Sequence, residues 1–339
     1  MTTINSLGGA SERAAKRRNP LQYLERLAAR TQSGWTDCYE SPINAFSNDA
    51  PSISRRSCIY SAKLARDIHL LSGPEQSAAI LALYHPDLFE LHEQRVLTPQ
   101  PDFHPLSGHP DTRGQDLPSF RGTVDVADRL GQLRLHPTVT IPDPDAPETG
   151  LRVPKQLMGD LLLFMRGDNV RYCVNWTIKK NEDGFKRGLG LKRNRKQEAN
   201  RQDRAAFRHD LERIYYEDAG IRTVRVTQQE IDFNVACNLR QLFGYHQRSP
   251  SVSADVHQSI EARFRDILGA TASPLEASRE LMQKFGCSLH DCRTILYQAI
   301  WHRRLRVDLF SPIVFDRPLT PESRDVLQVY TDWFARSAS

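Results

Sequence analysis

The chain has 339 residues, of which 39% are hydrophobic and 26% are charged, which is enough for two packed domains and excludes a fibrous or wholly disordered protein. No apolar run approaches the roughly 20 residues needed to span a bilayer, and the basic first twenty residues lack the apolar block of a secretory signal. We therefore expect a cytoplasmic protein that does not use a membrane.

The six cysteines are scattered without a CxxC spacing, which argues against a disulfide framework and against a structural zinc site. The formal net charge is only +5, from 46 Lys and Arg against 41 Asp and Glu. Any affinity for a polyanion therefore depends on where the positive charge is concentrated along the chain.

The N-terminal part of the chain is predicted to be an arm over residues 1–60, with one short amphipathic helix at residues 20–30. A longer helix begins after Ser72, because Ser is a favoured cap residue and Pro74 is suited to the first turn. This start places Glu75 in the first helical turn. Residues 87–94 alternate apolar and polar side chains, which predicts a strand.

The segment between residues 98 and 150 is rich in Pro, Asp and His. Apart from a short helix predicted at 123–130, this composition is expected to bury little core and to form a long connection. Residues 159–165 are predicted to form a buried strand, and residues 170–179 the second strand of a hairpin. Side chains alternate along that second strand, so Thr177 and Lys179 share its more polar face.

A helix over residues 197–219 and a strand over 221–226 complete a mixed α/β fold, which we assign to a domain at residues 61–240. The last ninety residues have a different pattern. They predict a mostly helical winged-helix domain at residues 251–339. Its predicted elements are helices at 255–268, 274–285 and 288–301, and short strands at 304–309 and 313–315.

Three residues in this order suit metal-dependent cleavage of a phosphodiester: Glu75 on a helix, Asp160 at the start of a buried strand, and Lys179 on the next strand. Carboxylates hold a hard cation such as Mg²⁺, the cation activates water, and an ammonium group helps to position that water. Spacing alone is a weak indication, because most acidic side chains are simply solvated.

Several segments in chain order carry a more specific pattern. They are RDIHLLSGPEQ at 66–76, PDLFELHEQ at 86–94, ADRLG at 127–131 with HP at 136–137, MGDLL at 158–162, and LERIYY at 211–216 followed by EI at 230–231. Together they resemble the TnsA-like endonucleases of heteromeric transposition systems. The resemblance covers about residues 61–235, and a winged-helix-like tail follows in the family's usual place.

The resemblance implies a restriction-endonuclease-like nuclease domain with a D…(E/Q)xK site. In that site Glu75 and Asp160 are ligands of Mg²⁺, for which Mn²⁺ can substitute, and Lys179 is the catalytic lysine. Thr177 stands where the family has Gln or Glu, and we count it with Ile178 among the expected metal ligands. A hydroxyl is a poorer ligand than a carboxylate, so either the metal affinity is lower or the backbone carbonyl of Ile178 and extra waters complete the site. Asn175 would serve instead of Thr177 if the register slipped by two residues.

The stretch at residues 179–204 contains ten Lys and Arg against four acidic residues, an excess larger than that of the whole chain. Such a run would meet DNA phosphates, although a solvated charge run remains the alternative. The DNA contacts expected here are Lys180, Lys186, Arg187, Lys192, Arg193, Arg195 and Lys196. Lys180 should point away from Lys179, to the opposite strand face. His69 and His136 are candidate metal or phosphate contacts, or structural histidines.

By this resemblance the chain cuts the 5′, non-transferred strands at transposon ends. Its expected partners are double-stranded DNA, a TnsB-like DDE transposase and a TnsC-like AAA+ ATPase regulator, which docks on the winged-helix domain. DNA contact by that domain is the alternative, since five residues near its last helix and wing suit phosphates: Arg293, His302, Arg303, Arg304 and Arg306. Two other functions stay open: a stand-alone restriction or repair nuclease, and a catalytically decayed DNA-binding assembly factor, which Thr177 would permit.

Overall fold

The structure is a computed structural model that describes residues 35, 38–46, 55–143, 149–168, 170–186 and 195–337, with the backbone alone described at 195–201. The short helix expected at residues 20–30 lies outside these residues. Within them, no helix has both the length and the apolar composition that crossing a membrane requires.

The strands and helices of the described residues follow the predicted order with some additions. The strands are β1 Ser57–Ser61, β2 Arg66–Leu70, β3 Leu88–Glu93, β4 Val96–Leu97, β5 Thr138–Pro142, β6 Gly150–Pro154, β7 Leu157–Met158, β8 Leu161–Arg166, β9 Arg171–Lys179 and β10 Arg222–Thr227. The helices are α1 Gly73–Tyr84, α2 Thr123–Arg129, α3 Asp183–Lys186, α4 Arg195–Asp218, α5 Phe233–Phe243, α6 Ala254–Asp266, α7 Pro274–Phe285, α8 Leu289–Trp301, α9 Val326–Val329 and α10 Thr331–Phe334.

Four strands form the central mixed sheet, in the order β10, β9, β8, β3. Strands β8 and β9 are the predicted antiparallel hairpin, with Leu161 opposite Trp176. Strand β3 pairs antiparallel with β8, and β10 pairs parallel with β9. Because β8 runs against β9, the start of β8 lies beside the end of β9, and both ends are brought to the same edge of the sheet.

Helices cover both faces of this sheet, which gives a mixed α/β fold. On one face Leu163, Val174 and Trp176 pack with α1 and α5 in one apolar cluster. On the other face Leu162 and Phe164 pack against α4 in a second cluster. Complete burial of one such side chain stabilises the fold by about 1.5–3 kcal/mol, so the sheet is held firmly between the helices.

Helix α1 begins where its capping signals predict. Ser72 is the cap residue, and its side chain accepts a hydrogen bond from the Glu75 backbone N–H, while proline occupies the first turn. The helix is buried on nearly every side from Ala78 to Tyr84. A helix that is apolar all round is fixed by its neighbours, so the Glu75 side chain starts from a rigid backbone.

The segment from 98 to 150 buries more core than we expected from its composition. Leu106, Phe120 and Val126 are buried in the cluster that contains α4, and the Phe120 ring stacks on Tyr215 at 4.2 Å between centroids. The predicted short helix is present as α2. Proline and polar residues are frequent here, but a few apolar anchors reach a distant helix, which local composition cannot reveal.

The three predicted C-terminal helices are present as α6, α7 and α8, and the latter two begin with capping boxes built on Ser273 and Ser288. The two strands predicted at 304–309 and 313–315 are wrong, since this region shows an isolated bridge between Val307 and Pro321. The Asn238 side chain of α5 donates to the carbonyls of Leu309 and Ser311, so a side chain replaces the strand partner.

The C-terminal segment packs back onto the central sheet. The Trp176 indole of β9 donates to the Trp333 carbonyl at 2.8 Å, and the Tyr172 hydroxyl donates to the Phe334 carbonyl at 3.1 Å. One apolar cluster runs from the sheet through α5 to α8 and α10. The helical C-terminal part is therefore joined to the sheet by shared core.

Candidate functional site

Asp160 lies immediately before β8, at the edge where β8 begins and β9 ends. Its Oδ2 atom accepts two hydrogen bonds, one from the Ile178 backbone N–H at 2.6 Å and one from Lys179 Nζ at 3.1 Å. Its backbone carbonyl accepts the N–H of Gln94 at 2.9 Å. The hairpin therefore brings together the aspartate and the lysine that the sequence singled out, although they are nineteen positions apart.

The Lys179 ammonium group lies between two oxygens that we expected to bind a metal. Besides Asp160 it binds the carbonyl oxygen of Ile178 at 2.8 Å. The side chains of Lys179 and Asp160 are 31% and 25% exposed, so solvent and substrate can reach them. Lys180 is exposed and follows the last residue of β9. The contact with Asp160 belongs to Lys179, as the strand register predicts.

Glu75 reaches the same region from the first turn of α1. Its Oε1 accepts the Ser72 hydroxyl at 2.7 Å and its Oε2 accepts the Leu71 N–H at 2.9 Å. Burial and, next, the negative charge of Asp160 raise the pKa of Glu75 to about 7, although its hydrogen bonds to Ser72 and Leu71 act in the opposite direction. A divalent cation beside Asp160 and Glu75 would offset the repulsion that Asp160 exerts on an ionised Glu75.

Thr177 has a partner that the sequence did not predict. Its hydroxyl donates to Glu212 Oε1 at 3.0 Å, and Asn175 Nδ2 donates to the same oxygen at 3.0 Å. Glu212 lies on α4, and both Thr177 and Asn175 are buried beneath it. Burial raises the pKa of Glu212, and the charge of Asp160 adds to this effect. A third carboxylate thus approaches Asp160 from the helix.

Sequence reasoning missed Glu212, although a signal was present. The segment LERIYY combines a buried Leu211 with buried Tyr215 and Tyr216, so an acid at position 212 falls inside an otherwise apolar stripe. Charged residues are almost never fully buried unless they have partners. An acid in such a stripe therefore indicates a polar group on the facing strand, which here is the face that carries Asn175 and Thr177.

The donor set suits Mg²⁺ in its chemistry. Among the residues that the structure describes, no group of three or more His, Cys, Asp or Glu side chains is placed to hold a metal ion. Magnesium needs no such group, because it is commonly bound through one or two carboxylates and keeps several waters and substrate phosphate oxygens. Glu75, Asp160 and the Ile178 carbonyl are all hard oxygen donors, so these residues fit the ion.

Positive charge surrounds the site in a way that the sequence run did not reveal. The Phe185 ring of α3 has Lys179 Nζ at 5.7 Å and the Arg225 guanidinium at 5.3 Å from its centroid, with the His209 ring at 5.2 Å. Burial and the neighbouring cations Lys179, Arg225 and Arg208 lower the pKa of His209 to about 4. An anionic backbone would be attracted to this side of the site.

The basic run predicted as a DNA contact is described only in part. Lys180 and Lys186 are exposed, as a phosphate contact requires. Arg187, Lys192 and Arg193 lie outside the described residues, and so do the side chains of Arg195 and Lys196. Arg208 and Arg225, which the sequence analysis did not select, are exposed beside the site and extend the basic surface.

The two candidate histidines are held by structural contacts. His136 is buried and its Nε2 lies 2.9 Å from the Thr123 hydroxyl, while Nδ1 lies 2.9 Å from the Pro137 carbonyl. The His69 backbone N–H donates to Glu93, and its carbonyl accepts from Gln94. The His136 ring therefore anchors its loop, as the structural alternative predicts. The His69 contacts are made by its backbone within β2, so the role of the His69 ring stays a prediction.

No protein-family model matches this chain, and no curated protein is similar enough to it to be identified as a relative.

Proposed function

We propose that the chain is a Mg²⁺-dependent DNA endonuclease that forms the nuclease subunit of a heteromeric transposase. The observation that carries this proposal is the meeting of Asp160, Lys179 and Glu75 at one edge of the sheet. Asp160 Oδ2 lies 3.1 Å from Lys179 Nζ, and Asp160 is close enough to Glu75 to raise its pKa. The three residues come from different elements, so their meeting is a property of the fold.

The arrangement of the elements supports a restriction-endonuclease-like fold. The predicted order of helix, strand, long loop, two strands, helix and strand is observed as α1, β3, β8, β9, α4 and β10. These four strands form one mixed sheet with a helix on each face. The hairpin β8–β9 supplies Asp160 and Lys179, as the D…(E/Q)xK pattern of the resembling family requires.

The residues of this site have distinct tasks in the proposed reaction. Glu75, Asp160 and the Ile178 carbonyl would hold the cation, whose chemistry when bound is to polarise a phosphate and to make water more acidic. The Lys179 ammonium group positions a water molecule or a phosphate oxygen beside Asp160. Arg208 and Arg225 bind the DNA backbone next to the site, because their charges lie on its solvent side.

The C-terminal region supports docking of a protein partner better than reading of DNA. Helix α8, the recognition-like helix, is buried at nearly every position from Asp291 to Trp301, so little of it can enter a groove. Three of the arginines considered for phosphate contact are paired with acidic side chains: Arg303 with Asp325, Arg304 with Glu261 and Arg306 with Glu322. The Arg293 guanidinium lies over the Phe315 ring at 4.7 Å. We therefore propose that the helical region at residues 251–339, which lacks the two predicted wing strands, is a platform for a TnsC-like AAA+ ATPase.

In this proposal the enzyme works in the cytoplasm and cuts the 5′ strands at transposon ends, while a TnsB-like DDE transposase acts on the 3′ ends. The test uses the purified full chain with the transposase, Mg²⁺ and transposon-end DNA, and compares it with Asp160→Ala. Loss of 5′-strand nicking by a folded Asp160→Ala variant is expected. Undiminished nicking by that variant rejects the site. Equal nicking by the wild-type chain without any partner would favour a stand-alone nuclease.

A further inference from the structure

The chain turns at Gln94, between the end of β3 and the start of β4. Its φ angle is +55°, in the left-handed region that residues other than glycine rarely adopt. The strand pair β3–β8 lies before this turn, and the strand pair β4–β7 follows it. Asp160 lies opposite the turn, in the short link between β7 and β8. Gln94 and Asp160 therefore meet where one strand pair ends and the next begins.

Two backbone hydrogen bonds join the turn to the link that contains Asp160. The Gln94 N–H donates to the Asp160 carbonyl at 2.9 Å, and the Gly159 N–H donates to the Arg95 carbonyl at 2.9 Å. These bonds hold the link at both of its ends. The place from which the Asp160 side chain leaves the backbone is therefore tied to the turn at Gln94.

The Gln94 side chain holds this turn in its uncommon conformation. The residue is 3% exposed. Its Nε2 donates to the His69 carbonyl at 2.6 Å, and its Oε1 accepts the Ser41 hydroxyl at 2.9 Å. A sparsely populated backbone conformation persists where the surrounding structure fixes it, and here both ends of the amide supply such contacts.

The same amide reaches the segment that orients Glu75. His69 lies on β2, two positions before Leu71, whose N–H donates to Glu75 Oε2 at 2.9 Å. Through its side chain Gln94 thus binds the strand that leads to Glu75, and through its backbone it binds Asp160. The two carboxylates come from different elements, and Gln94 connects those elements to each other.

We propose that Gln94 is a positioning residue that fixes Asp160 and Glu75 relative to each other for nicking. It acts through the backbone carbonyls of Asp160 and His69, to which it donates hydrogen bonds. This inference rests on the proposed nuclease function. Misplacing a reacting group by about 1 Å can lower a rate by about 10²-fold, so loss of the amide should reduce turnover more than binding of DNA.

The test measures nicking of transposon-end DNA by the full chain with its transposase at saturating Mg²⁺, and separates kcat from the KM for DNA. Gln94→Met keeps the length of the side chain but removes both hydrogen bonds of the amide. We expect kcat to fall by about 10²-fold while KM stays near its wild-type value. Gln94→Gly adopts a positive φ freely and keeps the N–H that binds Asp160, but it also lacks the amide, so its kcat should fall too.

Asn238→Leu is the matched control for loss of a buried amide. Asn238 is also 3% exposed, and its side chain donates to the carbonyls of Leu309 and Ser311 in the C-terminal region. Urea unfolding should show a loss of stability in this variant and in Gln94→Met. After correction for the folded fraction, only the Gln94 variants should have a reduced kcat.

An equal loss of kcat in Asn238→Leu would trace the effect to stability and overturn the inference. Wild-type kcat in Gln94→Met, or in Gln94→Gly if the methionine variant does not fold, would overturn it as well.

Asp160→Ala separates this inference from the proposed function. If Asp160→Ala is inactive and a folded Gln94→Met variant nicks at the wild-type rate, Gln94 has no positioning role and the nuclease proposal stands. If the wild-type chain with its transposase does not nick, or if Asp160→Ala nicks as fast as the wild type, the proposed function and the inference are both rejected.

Discussion

Two acidic clusters lie at the neighbouring strands β3 and β8, and their negative charge is compensated in different ways. Around Arg66, both Glu90 and Glu93 are 0% exposed, and Arg66 Nη1 lies 3.0 Å from Glu93 Oε2. Around Asp160, the pairing lysine is Lys179, and both side chains are partly open to solvent. The first cluster already encloses the guanidinium cation of Arg66, whereas the second leaves room for a cation to enter.

The difference shows how similar residue types acquire different tasks. Arg66 is also bound to the Asp67 carbonyl and stacks over the Tyr39 ring at 4.7 Å, so its guanidinium is part of the packing. Lys179 has a single flexible ammonium group facing several carboxylates. An enclosed ion pair stabilises a strand junction, and an open cluster with excess negative charge can take up a cation.

The comparison is tested most strongly at Lys179. Lys179→Ala should lower nicking by about 10²- to 10⁴-fold, the range for loss of a proton-transfer or positioning group. Mn²⁺ affinity should be kept or should increase, because the ammonium group lies between Asp160 and Ile178 and is not itself a ligand. Single-turnover nicking and Mn²⁺ titration of the same preparation measure the two effects separately.

Lys180→Ala is the matched control for this variant, since Lys180 is the adjacent exposed lysine. It should keep the rate of nicking at saturating DNA. An inactive Lys180→Ala with an active Lys179→Ala would contradict the register of β9, and normal nicking by Lys179→Ala would remove the lysine from the reaction.

At the enclosed cluster the expected loss is in stability. Arg66→Met leaves Glu90 and Glu93 buried without their cation, which should lower the free energy of unfolding by about 3–5 kcal/mol. Arg121→Met is the control, because Arg121 and Asp125 form an exposed pair at 3.5 Å whose loss should cost no more than about 1 kcal/mol. Urea unfolding measures both variants.

Equal stability of Arg66→Met and Arg121→Met would show that the enclosed pair is not structural. Loss of Mn²⁺ binding by a folded Arg66→Met variant would show that the two clusters act as one site. Either result would contradict the assignment of a structural role to the cluster around Arg66 and a cation-binding role to the cluster around Asp160.

Much of the fold can be predicted from local sequence patterns such as helix-capping residues. Helix α1 is set by Ser72 and Pro74, and α7 and α8 by their capping residues. What failed depends on distant contacts. The residues expected to form C-terminal strands contribute apolar side chains to the core while Asn238 binds their backbone, and no local pattern encodes that exchange.

The candidate site divides in the same way. The proximity of Asp160 and Lys179 could be predicted from the sequence, because a hairpin fixes which strand ends lie next to each other. Glu212 could not, since its place opposite Thr177 depends on how α4 packs across the sheet. Arg225 lies on an edge strand outside the basic run, and its approach to Phe185 is likewise a tertiary contact.

The smallest expected effect is a pH dependence that separates Glu75 from Glu93. Burial raises the pKa of each carboxyl from 4.5 to about 7. A carboxyl binds a cation only after losing its proton, so protonated Glu75 competes with the metal below that pKa. Mn²⁺ affinity should therefore rise by about tenfold between pH 6 and pH 8 and level off above it, with release of a proton on binding.

Calorimetry in buffers of different ionisation enthalpy counts the released protons. Glu93→Gln should keep both the rise in affinity and the proton release, because the Glu93 carboxylate is paired with Arg66. A Mn²⁺ affinity that is flat from pH 6 to pH 8 would mean that Glu75 does not bind the ion. If the rise disappears in a folded Glu93→Gln variant, the group that titrates is Glu93 in the enclosed cluster. The two clusters would then not have separate roles.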